Sequence, residues 1–163
     1  MYGEPVNPRT APKGDAPAAS FGSRAQEAAV GILRTADRIR RLLGSTVEPF
    51  GLTLQQYNIL RILRGSGEAM CTLEVSKRLI ERSPGITRHL DILETKGLVV
   101  RERSTDDRRE VRCAITADGR DLLRRMDPVV NAADEAAVAG LDDSSLTELV
   151  GLLDRIRSRL PGN

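Results

Sequence analysis

A switch of hydrophobic period inside residues 83–116 restricts the folds open to this chain more than any other feature. Ile86, Leu90 and Leu93 recur at spacings of three and four, which puts them on one face of a helix. Ser83 followed by Pro84 reads as its start: serine caps free N–H groups, and proline lacks the N–H that would go unpaired there. Lys96 suits the carboxyl end of the helix dipole, and Gly97 can take the left-handed conformation that ends a helix. The period then changes. Leu98-Val99-Val100 and Val111-Arg112-Cys113-Ala114-Ile115 read as short strands, and Ser104-Thr105-Asp106-Asp107-Arg108-Arg109 between them is too polar for anything but a loop. Helix, strand, charged loop, strand is the outline of a winged helix-turn-helix. The fold class expected is mainly α with a small antiparallel β wing.

The rest of the chain fits around that unit. Residues 1–23 are rich in Pro, Gly, Ala and Ser, show no apolar period, and read as a disordered arm. Residues 24–51 carry a long helix whose stripe includes Ile32, Leu33, Ile39, Leu43 and Val47, closed by Glu48-Pro49-Phe50-Gly51. Residues 52–116 form the winged helix-turn-helix. Thr53 with Gln56 makes a capping box for a helix that buries Leu54, Tyr57, Ile59, Leu60 and Leu63. Met70-Cys71-Thr72 is long enough for a one-ladder strand that closes the hairpin (about 98–115) into three strands, and Thr72 then caps a helix to Ile80. The recognition helix spans about 83–96. Residues 117–160 hold two further helices, the first capped by Thr116 and bent at Pro128, the second begun by Asp142 or Asp143. In that last helix Leu146, Leu149, Leu153, Ile156 and Leu160 repeat at nearly 3.5 residues, a seam for another helix. Together with Ile32, Leu33, Val129 and Val130 this is more apolar surface than one small core covers. A two-fold, obligate-type helical homodimer is the simplest partner, and packing on the chain's own domain is the alternative.

Composition excludes several classes. With no Trp, two Tyr and two Phe, the interior must be aliphatic, as packed helices allow. No apolar run approaches the roughly 18 residues of a membrane span, and the N-terminus lacks the apolar core of a signal peptide, so a cytoplasmic protein is expected. Cys71 and Cys113 fit neither a metal spacing nor a disulfide framework, and the single His89 has no second histidine to share a metal; no metal or cofactor is expected. A glycine-rich phosphate loop, paired carboxylates at a motif spacing and a Cys–His arrangement of known pattern are all lacking, which argues against an enzyme. Net charge is only +2, but basic groups concentrate in the first two thirds: residues 71–112 carry ten Lys/Arg against eight acids, residues 117–163 six against nine. DNA binding needs positive charge only where phosphates lie.

A recognition helix enters the major groove and reads base edges with residues near its amino end. Pro84, Gly85, Thr87, Arg88 and Asp91 are its outward residues here. Arg88 can take guanine O6 and N7 together, Thr87 can touch a thymine methyl or a phosphate, and N–H groups near Thr72 and Ser83 suit phosphate oxygens. The bland alternative is that Arg88 is a solvated surface charge. Arg103 and Arg112 are candidate phosphate contacts.

Lys96-Gly97-Leu98-Val99 with Arg101, the Asp107-Arg108-Arg109 loop, and Ile115-Thr116 at that distance from Asp107 resemble the multiple-antibiotic-resistance regulator (MarR) family. Leu54–Leu60 and Leu73–Leu79 fall where that family has its second and third helices, and the resemblance covers roughly residues 25–160. It implies a homodimeric regulator of transcription on double-stranded DNA, more often a repressor, whose terminal helices interlock two subunits. It also implies that Arg109 enters the minor groove beside Arg108, while Asp107 steadies the loop by pairing with a basic neighbour, for which Arg101 is the candidate. Members commonly release DNA when a small aromatic or phenolic ligand enters a cleft; Arg34, Tyr57 and Arg61 are candidates to line one, with His89 as a ligand or pH sensor. Two readings compete with this one. A winged helix can serve protein interaction without DNA, and Cys71 with Cys113, on neighbouring strands, can be a redox switch or simply inert core.

Overall fold

The computed structural model describes residues 21–79, 85–103 and 111–160. Its Cα packing falls into two compact units, Met1–Ala36 and Asp37–Asn163, and the first helix, α1 (Arg24–Val47), runs across the division. In the first unit the start of α1 is capped: Ser23 Oγ accepts from Gln26 N at 3.1 Å and Gln26 Oε1 from Gly22 N at 2.7 Å. The Gln26 side chain thus returns its bond to the residue before Ser23 and not to Ser23 itself. The side chains of Ile32 and Leu33 in this unit are exposed.

The second unit contains the core. After a 3₁₀ turn (Glu48–Phe50) closed by Gly51 at φ 71°, α2 (Leu54–Ser66) begins with the expected capping box. Gln56 N donates to Thr53 Oγ1 at 3.2 Å and Gln56 Oε1 accepts from Thr53 N at 3.0 Å, which satisfies an otherwise buried glutamine. Tyr57, Ile59, Leu60 and Leu63 are buried as expected. β1 (Met70–Cys71) leads into α3 (Thr72–Arg78), and α4 (Ile86–Thr95) buries Leu90 and Leu93. β2 (Val99–Arg103) and β3 (Val111–Ile115) complete an antiparallel sheet of order β1-β3-β2, with Met70 opposite Cys113 and Val99 opposite Ile115. α5 (Ala117–Ala137) and α6 (Asp143–Arg157) follow, capped by Thr116 and Asp142, and Pro128 lies inside α5. Arg64 spans α2 to α5 with a bidentate bond to Asp127, at 2.8 and 3.0 Å.

Three expectations are corrected. Thr72 does not cap α3: the N-cap is Cys71, without a side-chain bond, because the Thr72 hydroxyl is turned to the Val111 carbonyl and the Cys113 thiol. The described helix α4 starts at Ile86 with Gly85 as its N-cap, at φ 121°; Ser83 and Pro84 lie outside the described residues. Val130 is no surface residue but 3% exposed in the chain's own core, whereas Val129, roughly 100° further round the helix, is 47% exposed.

Candidate nucleic-acid interface

Gly97, at φ 70°, ends α4 with a pair of bonds, Gly97 N to the Glu94 carbonyl at 2.8 Å and Leu98 N to the Leu93 carbonyl at 2.9 Å. This tight turn throws β2 back beside the helix that precedes it. Thr116 fixes the second strand at the same end of the hairpin: its N–H bonds the Leu98 carbonyl at 3.1 Å, and its hydroxyl donates to the Gly97 carbonyl at 2.7 Å while accepting from Gly119 N. Helix and hairpin are therefore tied at both strand bases.

On α4, Gly85, Thr87, Arg88 and Asp91 are all exposed, as a base-reading face requires. Among the described residues Arg88 pairs with no carboxylate, so its five donors remain available. The wing strands meet this face through Arg101. Its Nε and Nη2 bond Glu94 Oε2 at 2.9 and 2.5 Å, and Nη2 also reaches Asp91 Oδ1 at 2.7 Å. These are partners that the sequence reading did not assign to it; Asp107, the partner expected, lies outside the described residues with Arg108 and Arg109. The hydrogen bond to Glu94 raises the Arg101 pKa further above its ordinary value, so the guanidinium keeps its charge and all its donors.

The ladder separates the other arginines. Arg103 pairs opposite Val111 and shares the face of Arg101, whereas Arg112 pairs opposite Glu102 on the reverse face. Both are exposed, but only Arg103 is on the side of α4. The cysteines divide the same way. Cys113 is buried opposite Met70, and Cys71 lies opposite Arg112, so their side chains leave opposite faces of the sheet. Burial pushes the Cys113 thiol up, against a smaller lowering by the Thr72 hydroxyl. An intramolecular Cys71–Cys113 disulfide is not expected from this geometry. In the native protein Cys71 should react with a thiol reagent at neutral pH and Cys113 only after unfolding. Peroxide treatment followed by non-reducing mass spectrometry should find no internal disulfide.

Of the residues considered for a ligand, Tyr57 belongs to the core, with the Arg61 guanidinium 5.7 Å from its ring centre, and Arg34 is an exposed residue of the first unit. Burial raises the Tyr57 phenol above its ordinary value, partly offset by Arg61. His89 is half-buried, with Nδ1 buried and, among the described residues, without a hydrogen-bond partner. Among the described residues no group of three potential metal ligands comes together, and no helix is long and apolar enough to cross a membrane.

An exposed helix beside a three-stranded wing defines a winged-helix protein, the arrangement with which DNA-binding members enter the major groove. The sequence profile of the MarR family matches residues 52–111, the unit built above. A MarR transcription factor from Planctomyces limnophilus is 37% identical, with 82% of this chain and 98% of that one aligned at a TM-score of 0.64. The chain belongs to the MarR family of transcription regulators. AbsC, a MarR family regulator from Streptomyces coelicolor, shares the fold at TM-score 0.76 over 89% of this chain and all of its own, at 24% identity. BpsR of Bordetella bronchiseptica, whose DNA binding is regulated by 6-hydroxynicotinic acid, shares it at TM-score 0.72 and 24% identity, over 80% and 98% of the two chains.

Proposed function

We propose that this regulator is a homodimeric repressor that seats two α4 helices in successive major grooves of a pseudo-palindromic operator. The observation that carries the reading is the exposed Gly85–Thr87–Arg88 edge of α4, with Arg88 disengaged from every described carboxylate. Arg88 takes a guanine edge, and Thr87 a methyl or phosphate. Arg109, with Arg108 beside it in sequence between the two wing strands, reaches the minor groove, whose narrow A·T-rich form attracts arginine. Ser83, Pro84 and Thr72 approach the backbone, and Arg103 supplies a phosphate contact from the α4 side of the wing; Arg112, on the reverse face, does so less directly. The half-site centres lie one helical turn apart, about 34 Å.

Dimerisation rests on α6, none of whose residues is buried in the single chain, with Ile32, Leu33 and Val129 as further exposed apolar positions. Release by a small aromatic acid is proposed from the likeness to BpsR, with Arg61 and His89 of the second unit as residues able to meet a carboxylate; Arg34 is a separate candidate on the first unit. A protein of this kind works in the cytoplasm, where its DNA is.

Gel shifts on a duplex that the protein selects from a randomised pool test the docking. Arg109→Ala should weaken binding to most sequences and flatten the salt slope by about one unit, whereas Arg88→Ala should relax base preference at one position per half-site, a change of about 1–3 kcal/mol. If both variants bind as the parent does, the docking is wrong; if the parent selects no duplex, a protein partner becomes the better reading.

A further inference from the structure

We propose that Arg101 is a positioning residue for DNA recognition: by clasping Asp91 and Glu94 it sets the wing strand against the recognition helix. The inference rests on the DNA-binding reading above and assigns this arginine no contact with DNA. Its guanidinium leaves the middle of β2, on the rung opposite Cys113, and ends on two carboxylates three residues apart on α4. The Arg101 side chain is 22% exposed while Asp91 and Glu94 are 54 and 39% exposed, so the tie is better defined by its three charge-assisted bonds from one guanidinium than by burial.

The mechanical need is plain from the sheet. β1 contributes two rungs, Met70 with Cys113 and Cys71 with Arg112. The rung beyond them, Arg103 with Val111, belongs to a two-stranded hairpin, which alone is marginally stable. The turn at Gly97 and the Thr116 bonds anchor the hairpin at Leu98, at the opposite end of β2. Arg101 lies between anchor and free end, and it is bonded to the helix turn that follows Arg88. Fixing that distance holds the described end of the wing strand, at Arg103, in one body with the helix face, which lowers the ordering cost at the moment of binding.

Plain electrostatics and a strut predict opposite signs for one variant. Asp91→Asn/Glu94→Gln removes two negative charges from the DNA side, which by charge alone strengthens binding. As a strut, the pair is needed to hold Arg101, so the variant should bind the selected duplex about tenfold more weakly. Arg101→Met should lose a similar factor with an unchanged salt slope, and the triple variant should lose no more than either parent, since all three cut one tie. Without DNA, the amide order parameters of Glu102 and Arg103 should fall in each variant from a rigid value of about 0.85 toward 0.6. Tighter binding by Asp91→Asn/Glu94→Gln, or a salt slope flattened by about one unit in Arg101→Met, would make Arg101 a phosphate contact and overturn the proposal. Unchanged order parameters would overturn it too. A parent protein that selects no duplex would instead remove the DNA reading, while the order parameters still judge the strut.

Discussion

Gly119→Ala is expected to destabilise the protein by about 2–3 kcal/mol, the upper part of the range for overpacking a core. A Cβ at Gly119 would overlap the Leu98 carbonyl oxygen and stand 2.7 Å from Ile115 Cγ1. Neither neighbour can yield cheaply. The Leu98 carbonyl already accepts from Thr116 N, and Ile115 is buried on the rung opposite Val99. Gly119 N is itself held by Thr116 Oγ1 at 3.1 Å, so α5 would have to back away from the wing and break its own cap. Gly65, in the last turn of α2, is the internal control: nothing lies within 4 Å of a Cβ there. Gly65→Ala should be neutral or stabilise by up to about 1 kcal/mol through helix propensity. Thermal unfolding should separate the two, with a fall of roughly 5–10 °C for Gly119→Ala. A Gly119 variant that melts with the parent would mean that the close approach of α5 to Leu98 is not real.

Gly119 also marks what the sequence left unsaid. Thr116 is legible as a cap, but a glycine three residues later reads as a weak helix former until the carbonyl against it is known. Local chemistry was readable wherever one or two side chains decide a backbone: the Thr53–Gln56 box, Gly97 after α4, Thr116 and Asp142 before the last two helices, and the ladder of Met70-Cys71 with β3. Choices that depend on a third element were not. The Thr72 hydroxyl had two uses, and the approach of β3 decided for Val111 and Cys113 over a cap. Val129 and Val130 fit one stripe on paper, yet the packing of α2 on α5 buries one and leaves the other out. For Arg101 a signal existed: two acids three apart on the recognition helix and an arginine on the next strand. Its choice of partners still rests on the tight turn that folds β2 back along α4.

Leu149→Glu/Ile156→Glu is expected to leave the winged-helix core of each chain folded and to abolish high-affinity operator binding. Leu149, Leu152, Ile156 and Leu160 are exposed by 37, 44, 44 and 62%, and α6 has no buried residue with which to hold itself in place. An amphipathic helix with its apolar side in water is stable chiefly when another helix covers that side. The spacing of Leu149, Leu153, Ile156 and Leu160, four, three and four, is the seam of a packed pair. Charge at two exposed seam positions costs the single chain little, since neither side chain contributes to its core. In a dimer it places like charges inside the interface, where their desolvation is costly. Sedimentation should therefore convert from dimer to single chains, with the helical signal reduced by no more than the share of α6, whose covering helix is lost. One α4 then meets one half-site, and the gain from linking two, on the order of 10²–10⁴ in affinity, disappears. Arg88 and Arg109 remain on the single chain, so weak, salt-sensitive binding to any duplex should persist. Parent protein that sediments as single chains, or a single-chain variant that still holds the full operator at parental affinity, would show that the paired half-sites are not what this fold reads.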